Sequence, residues 1–170
     1  KYDVYLSSHW GALQGYVSSA FKIYRNYDGN RSTFGDIYCK TTISDPASAS
    51  VYTSLDSRDS TKLHIIIINK NFNGNPAFTI AVNSKKEFGS GELFSLHSGS
   101  PDIFHPKALY QMINNAFSFT PDPQSISHFV FTLKPNAGVA ASEKNHSLQC
   151  SNDLSGNISI IHYDVASSAS

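Results

Sequence analysis

Apolar residues change their spacing once along this chain, close to Gly29. Before that point Leu13, Val17, Ala20, Phe21 and Tyr24 recur every three to four positions, the period of one helix face. Beyond it the period falls to two, as in strands. The helix is expected to follow a strand over 2–6 and a turn at 7–11, and to stop at Gly29. Further strands are predicted over 36–43, 50–55, 62–69, 77–82, 93–97, 116–120, 127–133 and 157–163. Turns rich in Asn, Asp, Gly and Pro separate most of them. Ile65, Ile66, Ile67 and Ile68 break the alternation, so the strand over 62–69 is expected to be buried on both faces. Phe78 shares its register with Ile80 and Val82 and is expected in the core.

Many short strands divided by such turns predict a mainly β fold, an antiparallel β-sandwich. The single β/α unit in front of it is the anomaly. One strand and one helix cannot bury both their faces unaided. The simplest account makes this unit the end of a (β/α)8 barrel whose earlier units precede Lys1. Three segments follow: 1–30, the last barrel unit; 31–134, the sandwich; and 135–170, a tail or the start of a further module. The boundary falls at Lys134-Pro135-Asn136-Ala137-Gly138.

Charge narrows the partners. The 13 Lys and Arg balance 13 Asp and Glu. Nucleic acid and anionic membranes select a basic surplus, so neither is expected, and no apolar run reaches transmembrane length. A neutral polysaccharide fits. Plentiful Tyr, Phe, Ser and Asn with few charges are a flavour of secreted β-rich proteins, so a secreted or extracellular location is expected. The chain opens inside a strand pattern without a signal peptide. Either a leader has been removed or the chain starts within a larger protein. Cys39 and Cys150 could pair or remain two buried thiols.

The seven histidines show no short zinc-type spacing. His64 and His128 fall inside strand patterns, as satisfied or edge positions. Asp56 and Asp59 could offer calcium ligands, but Asp-rich turns are ordinarily just turns. No metal and no cofactor is expected. Neither a phosphate-binding loop nor a nucleophile elbow is present.

One run is distinctive: Tyr16-Val17-Ser18-Ser19-Ala20-Phe21-Lys22-Ile23-Tyr24-Arg25-Asn26-Tyr27-Asp28-Gly29, continuing through Ser32-Thr33-Phe34-Gly35-Asp36. It resembles the segment joining the last barrel helix to the sandwich in glycoside hydrolase family 44. The stretches from Val51 to Leu55, Leu63 to Asn71 and Asn114 to Val130 resemble that family's sandwich strands. The likeness covers roughly residues 1–133. It implies an endo-β-1,4-glucanase acting on cellulose or xyloglucan, and also on xylan, with retention of configuration. Retention uses two carboxylates about 5 Å apart, both glutamates on earlier barrel strands in this family. The only glutamates here are Glu87, Glu92 and Glu143, and none matches that context. The catalytic pair is therefore expected outside this chain, and the chain alone is expected to be inactive.

Trp10 follows the strand over 2–6, at the end where barrel active sites lie. Its indole would give a sugar ring a flat apolar platform, and His9 beside it could bond a hydroxyl. The alternatives are a tryptophan packed between helix and strand, and a structural loop histidine. Arg25, Asn26, Tyr27 and Asp28 offer either a substrate rim or, preferred here, a hydrogen-bonded lock between helix and sandwich. The competing view of the whole chain is a non-catalytic carbohydrate-binding sandwich, with Tyr52, Phe72, Phe88, Phe94, Phe104 and Tyr110 as candidate platform residues.

Overall fold

The computed structural model describes residues 11–12, 14–135 and the strand 158–163. Among the described residues one helix, α1 (Gly15–Arg25), is followed by eleven strands. They are β1 (Ile37–Cys39), β2 (Thr41–Ile43), β3 (Ala49–Leu55), β4 (Lys62–Asn69), β5 (Ala77–Val82) and β6 (Phe88–His97). The rest are β7 (Ser100–Phe104), β8 (Leu109–Gln111), β9 (Ala116–Phe119), β10 (Ser125–Leu133) and β11 (Ile158–Tyr163). Sheet I has the order β1-β3-β4-β10-β6-β7, with β8 also on β6. Sheet II has the order β2-β11-β5-β9. All pairings are antiparallel except β2 with β11.

The core lies between the sheets. Leu63, Ile65 and Ile67 of β4 meet Phe129 and Phe131 of β10 and Leu93 of β6 there, with Phe78, Ile80 and Phe117 from sheet II. Alternation thus places Phe78 inside as its register requires. The opposite face of sheet I holds a second cluster, in which Phe94, Leu96 and Val130 pack on Ile23 and Tyr27. Both faces of β4 are therefore covered, and Ile65, Ile66 and Ile67 are all fully buried.

Close packing gives one glycine a required place. Gly91 of β6 stands against Phe131, and an added Cβ would overlap that ring. Phe131 is fully buried, stacked on Phe129 and tilted against Phe117, so it has nowhere to retreat. Gly91→Ala is expected to cost about 1–3 kcal/mol by overpacking. Urea unfolding would show this as a lower midpoint at an unchanged slope, and a midpoint equal to the parent's would show that Phe131 can shift freely.

The structure departs from the sequence reading in several places. The strand expected over 36–43 is two strands, split at Lys40, with β1 in sheet I and β2 in sheet II. A chain can turn a sandwich corner by switching sheets in this way. β7 and β8 were not expected. β7 contains Pro101 and lies at a sheet edge, the place where proline is tolerated. Asn114 and Asn115 both have positive φ, and Ile113 bridges Ala116 across them, the geometry of a tight hairpin turn. The strand expected over 157–163 is present as β11 and sits inside sheet II, between β2 and β5.

The helix holds a sharper difference. Its sheet-facing residues are Ser19 and Ile23, whereas Val17 and Phe21, members of the expected apolar stripe, are exposed. Phe21 retains 49% of its surface. Residues 1–10, with the barrel strand expected over 2–6, lie outside the described residues.

Candidate functional site

The densest chemistry on the sheet I surface is where α1 ends. The last carbonyls of a helix lack intrahelical partners. Asn26 N–H bonds the Lys22 carbonyl at 2.7 Å. The next carbonyl, Ile23, is met by Nδ1 of His128 at 3.0 Å. A carbonyl can only accept, so His128 carries its proton on Nδ1. Its Nε2 is then an acceptor for Nδ1–H of His64, 3.0 Å away. His64 Nε2 is left buried and without a partner. Tyr27 stands edge-on to His128 at 4.5 Å between ring centroids, and Phe34 edge-on at 5.8 Å.

Burial forces both imidazoles neutral. It pushes the pKa of His64 down to about 4 and that of His128 to about 3, the neighbouring His64 adding to the latter. Imidazoles held this far below neutrality are weak bases, poorly matched to proton transfer near pH 7. Both rings are covered and tied to a helix end, so the pair is a fastening. The expectation of satisfied strand histidines holds for His128, while His64 keeps one empty nitrogen.

The turn after the helix is braced from within. Asp28 accepts from Ser32 Oγ at 2.7 Å and from the amides of Asn30 and Ser32 at 2.8 and 3.3 Å. Burial alone would raise its pKa, but these bonds together hold it below the usual carboxylate value. Asn26 Oδ1 accepts from Arg31 N–H at 2.6 Å. Further along α1, Tyr16 donates to Ser98 O at 2.7 Å, and Ser19 donates to Pro101 O. The expected lock at 25–28 is present only in part: Tyr27 packs its ring on Phe94 and His128, the bonds of Asn26 and Asp28 stay within the turn, and the hydrogen bonds to the sandwich come from Tyr16, Ser19 and the Ile23 carbonyl. Asp28 is satisfied by Ser32 and Asn30.

The other expected site residues fall as follows. His9 and Trp10 lie outside the described residues, as do Glu143 and Cys150. Cys39 is buried in the core. Asp56 accepts from Arg58 N–H at 2.8 Å, and Asp59 bonds Thr61 and pairs with Lys62 at 3.4 Å. Both are turn residues. Among the described residues no three His, Cys, Asp or Glu are placed to hold a metal ion, and no helix is long and apolar enough to cross a membrane. Glu87 pairs with Lys134 at 3.1 Å, and Glu92 lies 3.6 Å from His105. Of the candidate platform aromatics, Phe88 and Phe94 are buried, while Tyr52, Phe72 and Phe104 are exposed.

A cleft that the sequence did not suggest opens at one end of the sandwich. It measures about 240 Å³ and is lined by Ser95, Phe104, Tyr110, Asp122 and Ser127 among others.

No family model matches the chain. Endoglucanase A of Paenibacillus lautus is 36% identical over 132 residues, which make up 76% of this chain and 19% of that protein. A Paenibacillus polymyxa xyloglucanase from glycoside hydrolase family 44, solved with xyloglucan, superposes with a TM-score of 0.64 at 33% identity. That match covers 76% of this chain and 26% of the xyloglucanase. The glycoside hydrolase family 44 endoglucanase produced by Clostridium acetobutylium superposes at 0.61 with 31% identity, over 68% of this chain and 23% of its own. The chain thus spans about a fifth to a quarter of the proteins it resembles. In sequence and in fold together the chain matches a part of the glycoside hydrolase family 44 enzymes.

Proposed function

We propose that this chain is the C-terminal portion of a secreted endo-β-1,4-glucanase acting on cellulose or xyloglucan, with xylan as a further substrate. The observation that carries the reading is the match of three quarters of the chain to an endoglucanase and to a xyloglucanase of the family. The helix supports it. α1 is fastened to sheet I by Ser19, Ile23 and the His128 bond, and still leaves Val17 and Phe21 uncovered. Such a helix suits a position between two bodies, and the remainder of a catalytic barrel would cover the second stripe.

In this reading the retaining pair of glutamates lies outside the chain. The sandwich holds α1, and through it the loop of His9 and Trp10, against the barrel. Trp10 is assigned the stacking of a sugar ring, and His9 a bond to a sugar hydroxyl.

A gel cast with a soluble cellulose derivative tests the placement. The full-length parent should clear the substrate, and the 170-residue chain should not. Clearing by the chain alone would put a complete active site here. In the parent, Trp10→Ala should lower kcat/KM on xyloglucan by about ten-fold or more, equivalent to roughly 1.4 kcal/mol of lost transition-state binding, at an unchanged unfolding midpoint. Unaltered kinetics would remove Trp10 from the substrate path.

A further inference from the structure

We propose that the cleft at the end of the sandwich is a binding site for one pyranose unit of a β-1,4-glucan chain, held on the sandwich itself and separate from the loop of Trp10. The choice of a β-1,4-glucan rests on the function proposed above. The site itself rests on the geometry that follows.

The inner face of sheet I changes character along its length. In β6 and β10, Leu93 and Phe129 are paired across the sheet and point into the core. Two residues further on, the paired positions are Ser95 and Ser127, and beyond them comes Ser125. Strand alternation keeps all of these on the same face. Small hydroxyl side chains thus stand where large apolar ones would fill the space between the sheets, and the volume they leave is the cleft. Ser127 is 2% exposed as a residue and lines the cleft, and none of the described residues hydrogen-bonds its hydroxyl. The neighbouring Asn69 is fully engaged, donating to Gly74 O and Asp122 O and accepting from Asn71.

The walls suit a sugar. Phe104 pairs with Ser95 across the strands, on the same face, and keeps 54% of its surface exposed at the rim. Tyr110 is braced edge-on against Phe119 and Phe129 at 5.9 and 5.1 Å, and no described residue hydrogen-bonds its hydroxyl. Asp122 is the one carboxylate in the lining, His97 stands at the margin, and no lysine or arginine contributes. An anion would find no cation there, and a purely apolar ligand would strand Ser95 and Ser127, whereas Ser125 already donates to Asp122 O. A pyranose presents apolar C–H faces to aromatic rings and hydroxyls to serines and a carboxylate, which is the mixture this cleft offers.

Calorimetric titration of the full chain with cellotetraose, a xyloglucan oligosaccharide and maltotetraose tests the assignment. The β-1,4-linked sugars should bind, and Phe104→Ala and Ser127→Val should each weaken them about ten-fold or more. Tyr52→Ala, exposed on the opposite face of sheet I, should leave binding intact. If Ser127→Val fails to fold, Phe104→Ala still decides, because Phe104 is at the surface. Absence of binding, equal affinity in Phe104→Ala, or loss on Tyr52→Ala instead would overturn the site. Preference for maltotetraose would overturn the β-1,4 choice. Hydrolysis of β-glucan by a parent whose sandwich binds no sugar would sink the cleft alone. Sugar binding here, with a parent inert on β-glucan, would sink the glucanase reading.

Discussion

Replacing His128 with alanine is expected to lower the unfolding free energy by about 3–5 kcal/mol, from a cavity and broken hydrogen bonds together. The ring is fully buried, between Tyr27 on one side and the helix end on the other. Removing it leaves a void that the sheet cannot close, since β10 is paired on both sides, to β4 and to β6. It also strands two groups at once, the Ile23 carbonyl and the Nδ1–H of His64. Each buried group left unpaired costs about 1–3 kcal/mol. His128→Phe separates the two effects, because it restores volume and no bonds. That variant should lose less than His128→Ala, the difference being the cavity share. Hydrogen exchange adds the spatial test: the amides of α1 should lose protection first, with those of β4 and β10 following only at global unfolding. A loss under about 1 kcal/mol in His128→Ala would show that the bonds only replace equivalent ones to water.

This fastening also explains how much of the fold was legible in the sequence. The strand over 62–69 was visible because an unbroken isoleucine run has few other uses. Phe78, Ile80 and Val82 were visible through simple alternation. The helix was visible as an element, but its orientation was not. Its apolar positions Val17 and Phe21 turn away from sheet I, and it is held by Ser19, Ile23 and a carbonyl. Periodicity reports which residues share a face and is silent on what that face meets. Sheet switching at Lys40 was hidden because both halves of 36–43 alternate alike. β7 was hidden because an edge strand tolerates the proline that argues against a strand elsewhere. The cleft was hidden for a different reason. Serine at 95, 125 and 127 keeps the strand period, and only the pairing of β6 with β10 shows that the three line one inner wall. A signal was present in the paired pattern: alternate positions switch from Leu and Phe to Ser within both strands.

The same two histidines make stability fall steeply in acid. In the unfolded chain they titrate near the ordinary value of about 6.5. Folded, burial depresses His64 to about 4 and His128 to about 3. Between those values the unfolded chain binds protons that the folded one refuses, so acid favours unfolding. The contribution is complete above pH 6.5 and is lost progressively as pH falls toward 4. At about 1.4 kcal/mol per pH unit, His64 alone accounts for roughly 3 kcal/mol over that span. His128 acts in the same direction, because charging it would break its acceptor role toward His64 and set two cations side by side. The carboxylates enter only later. Asp28, Asp36 and Asp59 are all held below the ordinary 3.8, so their stabilisation disappears at lower pH still. Urea unfolding measured from pH 7.5 to 4 should therefore show a falling free energy well before the carboxylates protonate. In His64→Phe, whose ring still fills the space beside Tyr27, that slope should shrink by about half, since one of the two proton-refusing groups is gone. A profile flat down to pH 4.5 in the parent would mean that water reaches the pair, and that the histidines are not the fastening that holds α1 to the sandwich.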